Sequence, residues 1–350
     1  MAYSPILKPN ALMNTVLYAG NGGTQSITGV GFQPDMTWLK KRNGTANHHL
    51  VDAVRGVGYY LYPNLGNAQG GNGATLLTSF NSDGFTLDAG ADSNASGATG
   101  VGWSWKAGNL ANGQGSANTD GSLSSSVSAN QTSGFSIVTY NGRDATDTIG
   151  HGLGAEPSVI LFKCRSHAGS DWYSYWKPLG NNSTIRLNNT GSTSSPTGLW
   201  NTTNPTSSVF TVTSSDVINR VNRTFVAYCF AEKQGFSKFG SYIGNGNADG
   251  TFVYTGFKPA WVMVKNTNAV NHWAIYDNKR IGFNTENNYL RADGSYAEGS
   301  ETWGDFDLLS NGFKPRATDA MINSSGNTFI YMAFAEEPLV ASNFNVATAR

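Results

Sequence analysis

A chain of 350 residues has room for two or three domains of ordinary size, each with a core of its own. Its 23 basic and 23 acidic residues cancel, and no basic stripe of the kind that follows a phosphate backbone is present, which argues against nucleic acid as a partner. Only 13% of the residues are charged while 42 are glycine, so Asn, Ser and Thr supply the polarity, a surface chemistry suited to proteins exposed outside the cell.

The first residues, "MAYSPILKPNALMN", lack a basic segment followed by an apolar core, and no apolar run approaches the ~20 residues of a membrane span. The expectation is a soluble protein made in a cytoplasm, with no membrane insertion. Residues 1–11, carrying Pro5 and Pro9, read as an amino-terminal arm able to anchor on a neighbouring subunit. From residue 12 onward helical periodicity is almost absent, and short apolar or alternating runs closed by Gly, Asn, Asp and Ser clusters predict strands.

Residues 12–107 contain "YAGNG" (18–22), "GFQPDMTWLK" (31–40), "TLLTSF" (75–80), "GFTLDA" (84–89) and "TGVGWSWKA" (99–107). The segment 108–131, "GNLANGQGSANTDGSLSSSVSANQ", is nearly devoid of large apolar residues and reads as a flexible linker. Residues 132–233 repeat the earlier pattern as "YNGRD" (140–144), "LGAEPSVILFK" (153–163) and "TFVAYCFAE" (224–232). Residues 234–338 repeat it again as "YIGNG" (242–246), "GFKPAWVMVK" (256–265) and "TFIYMAFAE" (328–336), leaving a tail at 339–350. In all three copies the motif proline stands six residues before the motif lysine. The predicted fold is therefore all-β: three tandem antiparallel β-sandwich domains of jelly-roll or lectin-like type, the second and third closely packed and the first freer. Glycine and proline of the Gly-Phe-x-Pro motif suit a turn into a strand. In the last strands Trp103 and Trp105, Tyr228 and Phe230, and Met332 and Phe334 fall on alternate positions and should face a core.

Two constellations stand out. Asp52 and Asp277 each follow their motif lysine by 12 residues, and Arg55 and Arg280 each follow it by 15, so an Asp-x-x-Arg pair recurs at one fold position. It is either a ligand site or, the preferred reading, an ion pair that pins a loop; the middle copy has "YSYWKP" there and keeps neither charge. "DWYSYWK" (171–177) places Trp172 and Trp176 on one strand face and Tyr173 and Tyr175 on the other, and Trp273 takes nearly the same place in the third copy, as His48 and His49 do in the first. Such rings either fill sandwich cores or stack on sugar rings as a glycan-binding surface.

Catalytic and metal patterns are missing from the sequence. The histidines at 48, 49, 151, 167 and 272 have no metal-ligand spacing, and Cys164 and Cys229 read as two ordinary thiols or one incidental bridge. Neither a metal nor a cofactor is expected; Asn/Asp/Gly strings such as "GNADG" (246–250) and "NSDG" (81–84) are turn formers before they are Ca²⁺ loops. No nucleophile elbow occurs, and Glu232 and Glu336 recur at a strand end, where they look structural, so an enzyme is not expected.

Taken in order, "YAGNGGTQSITGVGFQPDMTWLKKRN", "LLTSFNSDGFTLDA", "VGWSWKAG", "YCFAEKQGFSKFGSYIGNG" and "TGFKPAWVMVK" resemble a repeated, lectin-like domain of tailed phages, common in marine ones, over residues 12–338. That resemblance implies a virion surface protein, released by lysis: a tail fibre or receptor-binding protein that contacts host glycans. The alternatives are a capsid decoration or cement protein and, further off, a polysaccharide depolymerase. The partners implied are other virion structural proteins, a host surface glycan and further copies of the chain in a homotrimer.

Overall fold

The computed structural model describes residues 4–339 apart from 7, 72–75, 90–91, 111–112 and 196–197. The first three residues of the predicted arm and all of the predicted tail except Leu339 thus lie outside the described residues. The fold is all-β and antiparallel, and helix among the described residues is confined to four three-residue 3₁₀ turns.

The first repeat runs β1 (Met13–Ala19), β2 (Gln25–Thr28), β3 (Met36–Lys41), β4 (His49–Asp52), β5 (Leu77–Asn81), β6 (Gly84–Leu87) and β7 (Thr99–Trp105). It makes one sheet in the order β1-β7-β3-β4 and a second in the order β2-β6-β5. Next come β8 (Ser116–Asn118), β9 (Ser125–Asn130), β10 (Phe135–Asn141), β11 (Asp147–Gly150), β12 (Val159–Cys164), β13 (Tyr173–Trp176), β14 (Ile185–Arg186), β15 (Val209–Val212) and β16 (Thr224–Phe230). Their sheets are β14-β13-β12-β16-β10-β9-β8 and β11-β15. The third set is β17 (Ser237–Ile243), β18 (Val253–Tyr254), β19 (Phe257–Asn266), β20 (Ala274–Asp277), β21 (Leu290–Arg291), β22 (Phe306–Leu309), β23 (Gly312–Pro315) and β24 (Thr328–Pro338), arranged as β17-β24-β19-β20-β21 and β18-β23-β22. One topology is written three times: first strand, last strand, motif strand and its hairpin partner make the larger sheet, and a smaller sheet covers it.

Alternation along the larger sheets builds two kinds of core. On β16, Phe225, Ala227 and Cys229 face the smaller sheet of their own repeat, whereas Val226, Tyr228 and Phe230 join a cluster drawn from all three repeats. The same split occurs on β24, with Phe329, Tyr331 and Ala333 on one side and Ile330, Met332 and Phe334 on the other. The aromatic pairs of the last strands therefore meet at a common centre: Trp105 lies 5.7 Å from Trp261 and 5.8 Å from Phe334, and Phe334 lies 6.0 Å from Phe230, centroid to centroid. The three larger sheets thus turn one face each toward a shared interior, and the smaller sheets lie outside.

Two expectations about organisation need correcting. The segment 108–131 is not a loose linker: β9 pairs with β10 and β8 with β9, extending the second repeat's larger sheet by two strands. Pairing there is made by the backbone, so small residues suffice; Ser128 and Val127 are buried, and Ser125 donates its hydroxyl to Gly150 O at 2.9 Å. The segment's start is also held, because the buried Asp35 carboxylate accepts from Ala107 N (2.7 Å) and Asn109 N (3.2 Å). Nor is the first repeat freer than the others, since Trp38, Trp103 and Trp105 all lie in the common cluster. The described part of the arm packs on this chain's own third repeat: Ser4 Oγ donates to Gln234 O at 3.2 Å, and Ile6 enters the common core.

The motif turns behave as their residues dictate. Gly31, Gly154 and Gly256, each three residues before the motif proline, have φ of +85°, +64° and +82°, values that L side chains rarely adopt. The neighbouring Phe32 and Phe257 are buried, and Pro259 sits at a register irregularity between β19 and β24, where its missing N–H costs no ladder bond. Cys164 and Cys229 are free and buried.

The Tyr-x-Gly motif has a different cause. Gly20, Gly142 and Gly244 press on the loop entering the last strand, where a Cβ would meet Ala95 O, Arg220 O or Ser324 O at 2.3, 2.1 and 2.3 Å. Each loop is pinned by a fully buried asparagine five residues before that strand's first residue: Asn94, Asn219 and Asn323. Asn219, for example, accepts from Arg143 N (3.0 Å) and donates to Ala145 O (2.6 Å). Gly142→Ala is expected to cost about 1–3 kcal/mol, because a backbone carbonyl must move to admit the methyl group; the urea midpoint should fall with the slope unchanged.

Candidate functional site

The motif lysines decide where the repeats meet. Met36, Trp38 and Lys40 alternate on one face of β3, so the lysine continues the row that fills the common core and cannot reach solvent; Lys163 and Lys265 stand at the same place, and all three are fully buried. Each ammonium donates to backbone carbonyls, one of them on a loop of another repeat. Lys40 Nζ bonds Lys41 O (2.7 Å) and Ser295 O (3.4 Å). Lys163 Nζ bonds Ser170 O (2.8 Å), Cys164 O (2.9 Å) and Gly66 O (3.4 Å). Lys265 Nζ bonds Asn266 O (2.7 Å), Thr190 O (3.3 Å) and Ala269 O (3.5 Å). The first repeat thus grips the third, the second grips the first and the third grips the second, which closes a ring. Burial pushes each of these lysines down to about 8.

A second joint runs in the same sense. Trp172 Nε1 donates to Tyr62 O at 2.8 Å, Trp273 Nε1 to Arg186 O at 3.0 Å, and His48 Nε2 lies 3.0 Å from Arg291 O. Trp38 Nε1 donates to His48 Nδ1 at 2.8 Å, so Nδ1 is the acceptor and the ring proton is on Nε2. His48 is thereby the imidazole counterpart of the two indoles. Their backbone amides are each capped by the receiving position of their own repeat: Asn64 Oδ1 accepts from His48 N (3.0 Å), Asn188 Oδ1 from Trp172 N (2.8 Å) and Asp293 Oδ1 from Trp273 N (2.9 Å).

The Asp-x-x-Arg pairs form a third joint between repeats. Asp52–Arg55 and Asp277–Arg280 have no exposed side-chain surface, and the two guanidinium groups also donate to Leu50 O (3.0 Å) and Ile275 O (2.8 Å). Each carboxylate takes one further donor from another repeat: Tyr228 Oη bonds Asp52 Oδ2 at 2.6 Å, and Trp103 Nε1 bonds Asp277 Oδ2 at 3.0 Å. In the second repeat, register puts Trp176 opposite Val159 where Asp52 stands opposite Met36 and Asp277 opposite Trp261. The position matching Tyr228 and Trp103 is there Met332, so donor and acceptor are lost together and both members are apolar members of the common core.

Four of the five residues expected to stack on sugars are consequently unavailable. Trp172, Trp176, Trp273 and Tyr175 are at most 1% exposed, because the first three are claimed by the common core and Tyr175 by the second sandwich. Tyr173 is half-buried under the guanidinium of Arg186, 5.4 Å from its centroid. The turn strings are likewise occupied by protein partners: Asp249 pairs with Lys314 and Arg316, and Asp83 accepts from Gly29 N and Gly31 N. Glu232 makes a surface ion pair with Lys238, and Glu336 pairs with the buried Lys258.

An open cup lies where the three receiving loops converge. Leu65, Asn189 and Gly294, which follow the three amide-capping residues, all line it, together with Asn47, His272 and Tyr296, and it encloses about 340 Å³. Threefold-related residues can share one cavity only on the ring axis, so the cup is its axial end. Tyr296 is 50% exposed, yet its ring is held: Arg291 lies 4.8 Å from the centroid and His272 meets it edge-on at 5.6 Å. A Cβ on Gly294 would come within 2.6 Å of that ring, so glycine is what lets Tyr296 fold back over the loop. Asp293, 1% exposed, anchors His272 through a 2.8 Å contact between its Oδ2 and Nδ1. No helix among the described residues is long and apolar enough to cross a membrane.

One family profile, described as Domain of unknown function (DUF7483), spans residues 8–338 and so takes in the whole ring. The chain belongs to DUF7483. No curated protein and no solved structure matches it. The match covers all three repeats together with β8 and β9, rather than one sandwich.

The histidine joint makes this DUF7483 chain sensitive to acid. Burial holds His48 well below its ordinary value, takes His49 down to about 4 and lowers His151. Unfolded histidines take up protons near pH 6.5 that the folded chain refuses, so this stability is complete above pH 6.5 and is lost as pH falls. Asp35, raised to about 6 by burial, acts in the opposite sense between pH 6 and 4. Glutamine at 48 offers the same acceptor and donor without titrating. Relative to His48→Gln, the natural protein is expected to lose about 2 kcal/mol between pH 7.5 and pH 5, read by urea unfolding at the two pH values.

Proposed function

We propose that this chain is a non-enzymatic structural protein of a tailed-phage particle, displayed on its surface as a tail fibre or receptor-binding protein that contacts host glycans. The observation that carries this reading is the closed ring. Buried Lys, His, Trp and Asp side chains are engaged in fastening one repeat to the next, so charged chemistry serves rigidity, and the loops at the axial end line an open cup. A rigid scaffold that presents loops suits recognition rather than turnover. The resemblance of the repeated motifs to phage surface domains supplies the setting.

In this reading the partners are other virion structural proteins, a host surface glycan and further copies of the chain in a homotrimer, and the particle is assembled in the host cytoplasm and released by lysis. Mass spectrometry of purified particles of the encoding phage should find the protein, and immunogold should label the tail. Absence from purified particles overturns the proposal. A second reading, head decoration, draws on the threefold repetition within one chain, which matches a threefold position on a shell without partner copies. Label on heads selects it.

A further inference from the structure

We infer that the axial cup is a binding site for an uncharged saccharide, with the Tyr296 ring as its stacking platform and Asn47 and Thr190 as hydroxyl partners; the inference rests on the reading of the chain as a glycan-contacting surface protein. It moves recognition away from Trp172, Tyr175, Trp176 and Trp273, whose rings are buried in the cores.

Three observations converge on the cup. First, Tyr296 is a large ring with half its surface in solvent, and it is fixed by Arg291 and His272 over a glycine whose missing Cβ makes room for it. A ring held this way loses little freedom when a sugar stacks on it, because its ordering has already been met by folding. Second, the polar groups beside it are amides, a hydroxyl and a carboxylate. Asn47 Oδ1 accepts from Asn64 at 2.9 Å, which leaves its amide N–H groups to donate. Asp293, its side chain 1% exposed, holds Trp273 N and His272 Nδ1 and so fixes the wall of the cup rather than meeting a ligand. Amide and hydroxyl groups beside an aromatic face are the complement of neighbouring hydroxyls on one face of a pyranose. Third, the cavity of about 340 Å³ is at the small end of ligand pockets and suits one or two sugar rings. Asn47, Asn189, Thr190 and Ser295 on the wall are uncharged, which suits hydroxyl-bearing rather than sialylated, sulfated or phosphorylated sugars.

The purified full-length protein, Tyr296→Ala and Tyr296→Phe are applied to an array bearing neutral hexose- and N-acetylhexosamine-terminated oligosaccharides beside sialylated and sulfated ones. The best-bound neutral oligosaccharide is then titrated calorimetrically against all three. Tyr296→Ala is expected to weaken binding at least tenfold with an unchanged melting temperature, and Tyr296→Phe, which keeps the ring, to bind within a factor of about three. Binding that survives Tyr296→Ala overturns the cup as the site and leaves glycan contact elsewhere on the protein intact. Binding confined to the charged glycans overturns the assigned ligand class. Failure of the natural protein to bind any spot, while mass spectrometry finds it in the particle, overturns both the site and the glycan part of the functional reading without touching display.

Discussion

Replacing Asp277 with alanine is expected to lower stability by about 3–5 kcal/mol, the range found when one member of a buried ion pair is removed. The change would strand the Arg280 guanidinium, which has no exposed side-chain surface, with only Ile275 O and Glu298 as partners, and would take the acceptor from Trp103 Nε1. The loss is set by the buried Arg280 Nε and Trp103 Nε1 donors left without their acceptor, not by the small volume of the carboxylate. A double variant, Asp277→Leu with Arg280→Met, should therefore recover most of it, since apolar replacement of a whole buried pair is often close to neutral. The chain contains a natural version of that experiment, because Trp176 and, three residues on, Leu179 stand in the second repeat where the Asp and Arg stand in the other two, with no charge. Urea unfolding of the natural protein and both variants reads the result; a single variant within 1 kcal/mol of the natural protein would show that the pair is not what holds the third repeat's hairpin.

The second large effect concerns the repeats as units. Residues 234–338 produced alone are not expected to fold. In the intact chain Trp261, Met263, Ile275, Ile330, Met332 and Phe334 face the common core, and a lone repeat would turn all six to water. At roughly 1.5–3 kcal/mol for each large side chain the loss is about 10 kcal/mol or more, comparable to the entire stability of a typical domain. Lys265 and Trp273 would also be cut from Thr190 O and Arg186 O. The fragment should give no cooperative melting transition and should bind a hydrophobic dye, whereas the full chain should melt in one calorimetric transition. A fragment with a sharp transition of its own would mean that each sandwich is self-sufficient.

These expectations differ from those of a string of independent domains, and the difference shows where sequence reasoning carries and where it stops. The all-β class, the threefold recurrence and the alternation of Trp103 with Trp105 or Tyr228 with Phe230 were legible because strand periodicity and turn residues are local signals. That a face so marked meets two other repeats was not legible, since alternation says which residues share a side and nothing about what lies opposite. The segment 108–131 misleads for a related reason: β8 and β9 contribute backbone pairing and small side chains, which composition does not distinguish from a linker. The motif lysines were visible as a spacing, but their acceptors are main-chain oxygens on loops of other repeats, and a carbonyl has no sequence signature. The recurrence of His48, Trp172 and Trp273 at one place could have pointed to a shared structural duty, because an imidazole and two indoles have in common a ring N–H donor. Tyr296 was missed because its role depends on Gly294 and on two neighbours brought together only by the loop.

The lysine and ring N–H fastenings between repeats end on main-chain oxygens of Tyr62, Gly66, Arg186, Thr190, Arg291 and Ser295. A carbonyl is supplied equally by every amino acid, so the identities of those six are not dictated by the grip they receive. Selection can therefore rewrite the rim around Leu65, Asn189 and Gly294 while leaving the clasp underneath untouched, as an interchangeable bit fits one chuck. Within a lineage of such chains, change should gather at the mouth, and the gripping Lys, Trp and His should stay put.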